Sequence, residues 1–372
     1  NACEAAIVDE LDAYGVENIK EVIDFFNEVK QLEKTVVNTR EEFYNKLMSS
    51  ELDFKDVKGQ QNIKRAFEIA AAGGHNIILI GPPGAGKSML AKRLPTILPP
   101  FTLQESLETT KIHSVTGSLD SNEALMSSRP FRKPHHTISD VALVGGGAFP
   151  QPGEISLAHN GVLFLDELPE YKRTVLEVMR QPLEDRKVTI SRAKFTVDYP
   201  ASFMLVAAMN PCPCGYYNHP EKDCVCSPGV VQKYLNKISG PLLDRIDLHV
   251  EVTPVNFDEL ASTENTETST SIRERVIAAR EVQEKRFEET ENVFANAQME
   301  SKKLREVCQI DAASIALLKT AMDRLGLSAR AYDRILKVSR TIADLAGSAD
   351  IKADHIAEAI QYRSLDRKNW AG

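Results

Sequence analysis

The sequence predicts an α/β fold: a P-loop core in which helices flank a parallel sheet, followed by a small all-α lid domain. Three observations carry that expectation. An apolar run at residues 76–80 leads into Gly81-Pro82-Pro83-Gly84-Ala85-Gly86-Lys87-Ser88 and then a helical pattern from Met89. Strand, glycine loop and helix in that order are what a phosphate-binding loop requires. Two more short apolar runs, 161–165 and 203–208, are separated by helical stretches, as buried parallel strands are. Beyond a polar stretch at 263–271, the patterns are all helical.

Residues 1–50 hold helix-like patches at 10–26 and 40–47 without a core of their own, and read as a tail and linker. A helix is expected at 63–72, ending at Gly73-Gly74. In the loop that follows the first strand, glycines let backbone N–H groups turn toward phosphate oxygens at a helix N-terminus. Lys87 would reach the β- and γ-phosphates and Ser88 would ligate Mg²⁺. The whole run from Gly81 to Met89 would cradle the nucleotide.

Residues 102–107 and a Gly/Ser-containing stretch at 113–118 follow the P-loop helix, and 129–160 reads as irregular. The latter begins with a basic loop, Arg129 to His136, which is either solvated surface or a contact surface. The pair His135-His136 has no neighbouring acid or cysteine to favour a metal. The second apolar run closes on Asp166-Glu167. Asp166 would hold Mg²⁺, and Glu167 would polarise the water that attacks the γ-phosphate. Residues 171–186 read as a helix that Pro182 kinks or ends, and 186–197 as a half-exposed hairpin. The third run ends at Asn210, placed to bond the attacking water or the γ-phosphate.

Cys212-Pro213-Cys214 and Cys224-Val225-Cys226 follow. In extended backbone, residues i and i+2 share a side, so two such arms joined by a hairpin can present four thiolates to one Zn²⁺. Free or redox-active thiols, or His219 as a substitute ligand, are the alternatives. Cys3 and Cys308 read as isolated. Arg245, between Asp244 and Asp247, is either a local ion pair or an arginine finger for a neighbouring subunit. The lid helices are expected from a Ser271–Glu274 capping box through Phe287, then at 304–310, 312–325, from a Ser328 cap, and at 354–362. Arg330 and Arg334 lie in the first turns after Ser328, as surface charge or site residues.

The 372 residues carry net charge −8, with 42% apolar and 26% charged residues. That balance argues against a uniformly basic nucleic-acid coat, so such contacts would come from local basic loops. No apolar run approaches the ~18 residues that span a bilayer, so no membrane is expected. Six cysteines in a long P-loop chain without a visible export signal indicate a reducing cytoplasm. The start at Asn1 rather than Met reads as a fragment or a processed chain.

P-loop, carboxylate pair, asparagine after a third strand, late arginine and helical lid resemble, in order, the AAA+ ATPases. More narrowly, KPHHTIS (133–139), PGEISLAHNGVLFLDEL (152–168), RQPLEDRKVTISRA (180–193), NPCPCG (210–215) and GPLLDRIDLHV (240–250) resemble the magnesium-chelatase-like family over about residues 51–370. The resemblance implies Walker A at Lys87 and Ser88, and Walker B at Asp166 and Glu167. It implies sensor 1 at Asn210, the arginine finger at Arg245 and sensor 2 at Arg330. It makes 129–160 a helix-2 insert and 186–197 a presensor-1 hairpin, both facing a pore. There Arg132, Lys133, Arg186, Lys187, Arg192 and Lys194 would contact DNA phosphates. A finger acting in trans implies an oligomer, for this family a hexamer. Residues 3–30 resemble the end of a Lon-like N-terminal domain. The expected division is therefore 1–50, tail and linker; 51–262, ATPase core; and 263–372, linker and lid.

Together these imply an ATP-hydrolysing ring motor on DNA, a helicase or branch-migration enzyme in recombination or natural transformation. A chelatase-type ATPase that remodels a protein partner for metal insertion into a tetrapyrrole is the second expectation. An ATP-switched scaffold is the third.

Overall fold

The structure is a computed structural model that describes residues 2, 6, 11–35, 51–119, 125–147, 150–192, 195–219, 221–255, 266–290 and 293–363. The side chains of Arg192 and Phe195 are outside that description. The chain forms two compact units, residues 1–51 with 100–129, and 52–99 with 130–372.

In the smaller unit, a helix at Ile19–Phe26 is capped by the Asn18 side chain. A second helix, Leu103–Val115, starts on a capping box between Thr102 and Glu105. Arg129 pairs with Glu105 at 2.9 Å and lies over the Phe101 ring. The expected patch at 40–47 falls outside the described residues.

The larger unit begins with helix α1 (Gln61–Gly73), which ends where Gly74 turns left-handed at φ 68°. Strand β1 (Ile77–Ile80), the glycine loop and α2 (Lys87–Arg93) follow. Then come β2 (Phe131–Arg132), α3 (Asp140–Val144), the short strands β3 (Gly145–Gly146) and β4 (Gln151–Pro152), and α4 (Glu154–Leu157). Residues 129–160, expected to be irregular, thus contain the short strand β2, two short helices and a hairpin of two-residue strands. Next are β5 (Val162–Leu165), α5 (Arg173–Val178), α6 (Arg180–Asp185), β6 (Lys187–Arg192), β7 (Phe195–Pro200) and β8 (Met204–Met209). The expected single helix at 171–186 is two. Pro182 lacks an N–H and its ring crowds the carbonyl of residue 178, and the break falls at Met179.

After α7 (Pro228–Leu235), α8 (Gly240–Leu243) and β9 (Leu248–Glu251), the remaining elements are helical: α9 (Ser269–Phe287), α10 (Ser301–Val307), α11 (Ala312–Leu325), α12 (Ala329–Leu345) and α13 (Ala353–Gln361). Helix α9 starts earlier than the expected capping box, because Thr268 accepts from the Ser271 N–H and already caps it. Ser328 caps α12 as expected.

Five strands form one parallel sheet in the order β2-β5-β8-β1-β9. Alternation along each strand sends side chains to two cores. Ile77, Leu79, Phe164, Val206 and Val250 join α1, α2 and the apolar faces of α9 and α12. Ile78, Ile80, Leu163, Leu165 and Ala207 join α3, α5 and the hairpin β6–β7. Both faces are covered, which is why these strands read as continuous apolar runs. The strands leave the polar loops at their C-terminal ends as the place for a ligand.

Candidate nucleotide and metal sites

Ile80 pairs with Met209 and Leu165 with Ala207, so the loops after β1, β5 and β8 emerge at one sheet edge. Gly84 and Gly86 hold φ of 82° and 85°, a left-handed bend that side chains resist. Gly81 lies so close to β9 that a Cβ there would stand 2.3 Å from the Val252 carbonyl. The loop turns over the edge, and Lys87 opens α2.

The Lys87 ammonium donates to the carbonyls of Gly81 (2.6 Å) and Pro82 (2.8 Å) and to Asn210 Oδ1 (3.1 Å). Burial lowers its pKa, and Asp166 and Glu167 oppose that. Ser88 Oγ donates to Asp166 Oδ2 at 2.7 Å. Lys87 with Asn210 and Ser88 with Asp166 thus form two hydrogen-bonded pairs that tie the end of the glycine loop to the loops after β8 and β5. Glu167 follows in a left-handed turn (φ 54°) that leaves its carboxylate exposed.

Two further groups join this edge. Lys133, one residue past β2, donates to the same Asp166 Oδ2 at 2.9 Å and lies over the Phe164 ring. Burial would raise the Asp166 carboxyl, but Ser88 and Lys133 outweigh it and hold it low. An oxygen that already takes a cation fits the expected Mg²⁺ position shared with Ser88. His136 Nδ1 is 3.4 Å from Glu167 Oε2, its ring lies tilted against His135 at 4.1 Å, and Tyr171, edge-on to His136, donates to the Pro134 carbonyl. Gln60 bridges the Ala85 and Thr253 carbonyls, tying the glycine loop to the chain after β9. His136 was weighed from the sequence only as half of a histidine pair without an acid nearby, and the structure brings Glu167 to it from another loop; Tyr171 and Gln60 were not assigned a site role, and nothing in their local pattern marks them.

The remaining predicted residues sit elsewhere. Arg245 donates to the Pro241 carbonyl and pairs with Glu184 at 2.5 Å, rather than with its flanking aspartates. Arg330, largely exposed, pairs with Asp244 at 2.9 Å. Neither is hydrogen-bonded to the glycine loop among the described residues. Arg132 makes a two-pronged pair with Glu154, both bonds 2.7 Å. Arg186 turns left-handed at the base of the hairpin β6–β7 and is half-buried. Lys187 pairs with Asp198 on its exposed face. In that hairpin, Val188 and Ile190 face the core while Lys187, Thr189 and Ser191 face out. Lys194 lies outside the described residues.

Cys212, Cys214, Cys224 and Cys226 place their sulfurs within 4.8 Å of one another. Cys212 to Cys214 is 3.3 Å, Cys212 to Cys224 is 3.7 Å and Cys214 to Cys224 is 3.6 Å. Four sulfurs about 2.3 Å from a tetrahedral Zn²⁺ stand about 3.8 Å apart; a disulfide would need about 2.05 Å. The donor set and its spacing therefore fit zinc. No hairpin joins the arms; turns do. The Cys214 thiol is pulled down to about 6, since backbone N–H groups of Tyr216 and Val225 outweigh burial. His219 accepts from the Glu221 and Lys222 N–H groups instead of joining the cluster. Cys308 is buried and separate; Cys3 is outside the described residues.

The family model of magnesium chelatase, subunit ChlI, matches residues 53–260, and that of its C-terminal part matches 266–363. Competence protein ComM of Haemophilus influenzae is 45% identical over 368 residues, covering 99% of this chain and 71% of that protein. Protein YifB of Salmonella typhimurium is 42% identical over 372 residues, covering 99% and 70%. The magnesium-chelatase 67 kDa subunit of Chlorobaculum parvum is 27% identical over 209 residues, covering 55% and 27%.

Proposed function

The chain belongs to the magnesium-chelatase ChlI family of AAA+ ATPases, and from that premise we propose that it is an ATP-hydrolysing ring motor acting on DNA. The observation that carries ATP hydrolysis is the two bonded pairs Lys87–Asn210 and Ser88–Asp166 side by side at one sheet edge, with Glu167 exposed beside them. Lys87 binds phosphate, Ser88 and Asp166 hold Mg²⁺, and Glu167 takes the proton of the attacking water. Bound Mg²⁺ supplies charge neutralisation for the phosphate oxygens. Asn210 orients Lys87. Arg245 and Arg330 serve nucleotide held in a hexamer, Arg245 from the neighbouring subunit. The division is residues 1–50, 51–262 and 263–372, as tail and linker, core, and lid.

The DNA reading is supported by the likeness to a competence protein over nearly the whole chain and by the outward-facing Lys187 of β6. It assigns helicase or branch-migration work to the motor. Arg132, Lys133 and Lys187 are each paired with an acid, Glu154, Asp166 and Asp198, so in this reading DNA phosphates displace those partners or are met by Arg186, Arg192 and Lys194. Replacing Lys187 and Arg192 by Ala should weaken DNA binding and flatten the slope of log affinity against log salt by about 0.7–0.9 per lost phosphate contact. An unchanged slope would count against the hairpin as a DNA surface. The cluster of four cysteines holds one structural Zn²⁺, in a reducing cytoplasm. A second reading, an ATPase that remodels a protein partner for metal insertion, is favoured by the family model and the chelatase-subunit likeness. ATP turnover indifferent to DNA would favour it.

A further inference from the structure

The cysteine cluster is not an appendage of the nucleotide site; the two share a wall. Asn210, whose Oδ1 receives the Lys87 ammonium, is separated from Cys212 only by Pro211. The chain then turns through Cys212 and Cys214, and the Gly215 N–H closes the turn on the Cys212 carbonyl at 3.0 Å. Gly215, at φ 85°, lies against the glycine loop itself. A Cβ there would stand 2.5 Å from Cδ and 3.1 Å from Cγ of Pro83. On its other side, Cys212 is fully buried against Val231 of α7, the helix that begins two residues after Cys226.

A metal bound by four thiolates would lock these three pieces together, since two ligands belong to the strand-end turn and two to the entry of α7. Removing it would free the turn that sets both the Asn210 side chain and the Pro83 ring. Resting on the zinc reading above, we propose that the tetrathiolate metal site is a strut of the nucleotide site: metal occupancy fixes Asn210 and the Pro83 face of the glycine loop and so sets nucleotide affinity. The glycine at 215 is part of the device, because a side chain there would occupy the space of the Pro83 ring.

The test measures bound zinc by atomic emission and affinity for a fluorescent ATP analogue on the same sample of the full chain. Zinc is stripped with a chelator and then restored as Zn²⁺ alone. The expected result is about one zinc per chain, tenfold or greater loss of nucleotide affinity on stripping, and recovery on refilling. Gly215→Ala should keep its zinc and still lose affinity several-fold, because the added Cβ displaces Pro83 without touching a ligand. Zinc that can be removed and restored with unchanged affinity would overturn the strut and leave the zinc reading standing. Protein purified without chelator that carries no zinc would overturn both.

Discussion

Lys133 shows how neighbours redirect a charge. As one cation in a basic loop it reads as a phosphate contact for DNA, yet the pairing of β2 with β5 sets it against Asp166 at 2.9 Å. Two residues of β2 carry no periodicity that could announce this register. The pair is 40% and 27% exposed, so it contributes about 0.2–1 kcal/mol. In the proposed Mg²⁺ site, Lys133 would compete with the cation for that oxygen. Lys133→Ala should therefore lower the Mg²⁺ concentration for half-maximal nucleotide binding by up to about fivefold, measured by titration with a fluorescent analogue. A raised Mg²⁺ requirement would instead make Lys133 a partner of the bound nucleotide. By contrast Lys87, Ser88, Asp166 and Asn210 were legible. Each sits in a motif whose spacing is fixed by strand, turn and helix.

At the scale of elements, the long periodic segments were read well. Residues 312–325 and the Ser328-capped helix fall where the pattern puts them. The misses are local. Thr268 outcompetes Ser271 as a cap, and the helix expected to kink or end at Pro182 breaks at Met179 into two. What joins the elements was not legible at all. Asp247, at the entry to β9, receives Arg334 of α12 at 3.1 Å and faces His75 at 3.4 Å, and His75 bonds Thr341 of α12. These four polar residues clamp the last long helix to the sheet. Burial alone would raise the Asp247 carboxyl; Arg334 and His75 outweigh it and hold it well below the usual range. A depressed folded-state value means stability that is present above the unfolded pKa of about 3.9 and is lost as pH falls below it. Asp247→Asn should cost about 3 kcal/mol at neutral pH and make stability fall less steeply between about pH 5 and 3. Urea unfolding across that range reads both effects. An unchanged acid slope would remove Asp247 from the account.

The larger unit is a parallel sheet covered on both faces, with the glycine loop and the loops after β5 and β8 at one edge and helices α9 to α13 sharing the core of one face. Oligomerisation belongs to this scale. Arg245 is held by Glu184 and the Pro241 carbonyl, which positions it without placing it on its own glycine loop. Arg245→Ala should leave nucleotide binding within about twofold and abolish turnover. Mixed into wild-type protein, it should inhibit more than dilution alone accounts for, as shared sites require. Activity that falls only in proportion to the mixing ratio would mean that each chain works by itself.

The central claim is that ATP hydrolysis here is coupled to DNA. The measurement that tests it most directly is steady-state ATP turnover of the chain without DNA, with single-stranded DNA and with a branched junction, with Glu167→Gln as control. The account predicts stimulation by DNA, largest with the junction, and turnover lowered roughly 10²–10⁴-fold in the control. Wild-type turnover indifferent to both DNAs, with the control still inactive, would contradict the DNA motor and leave an ATPase directed at a protein partner.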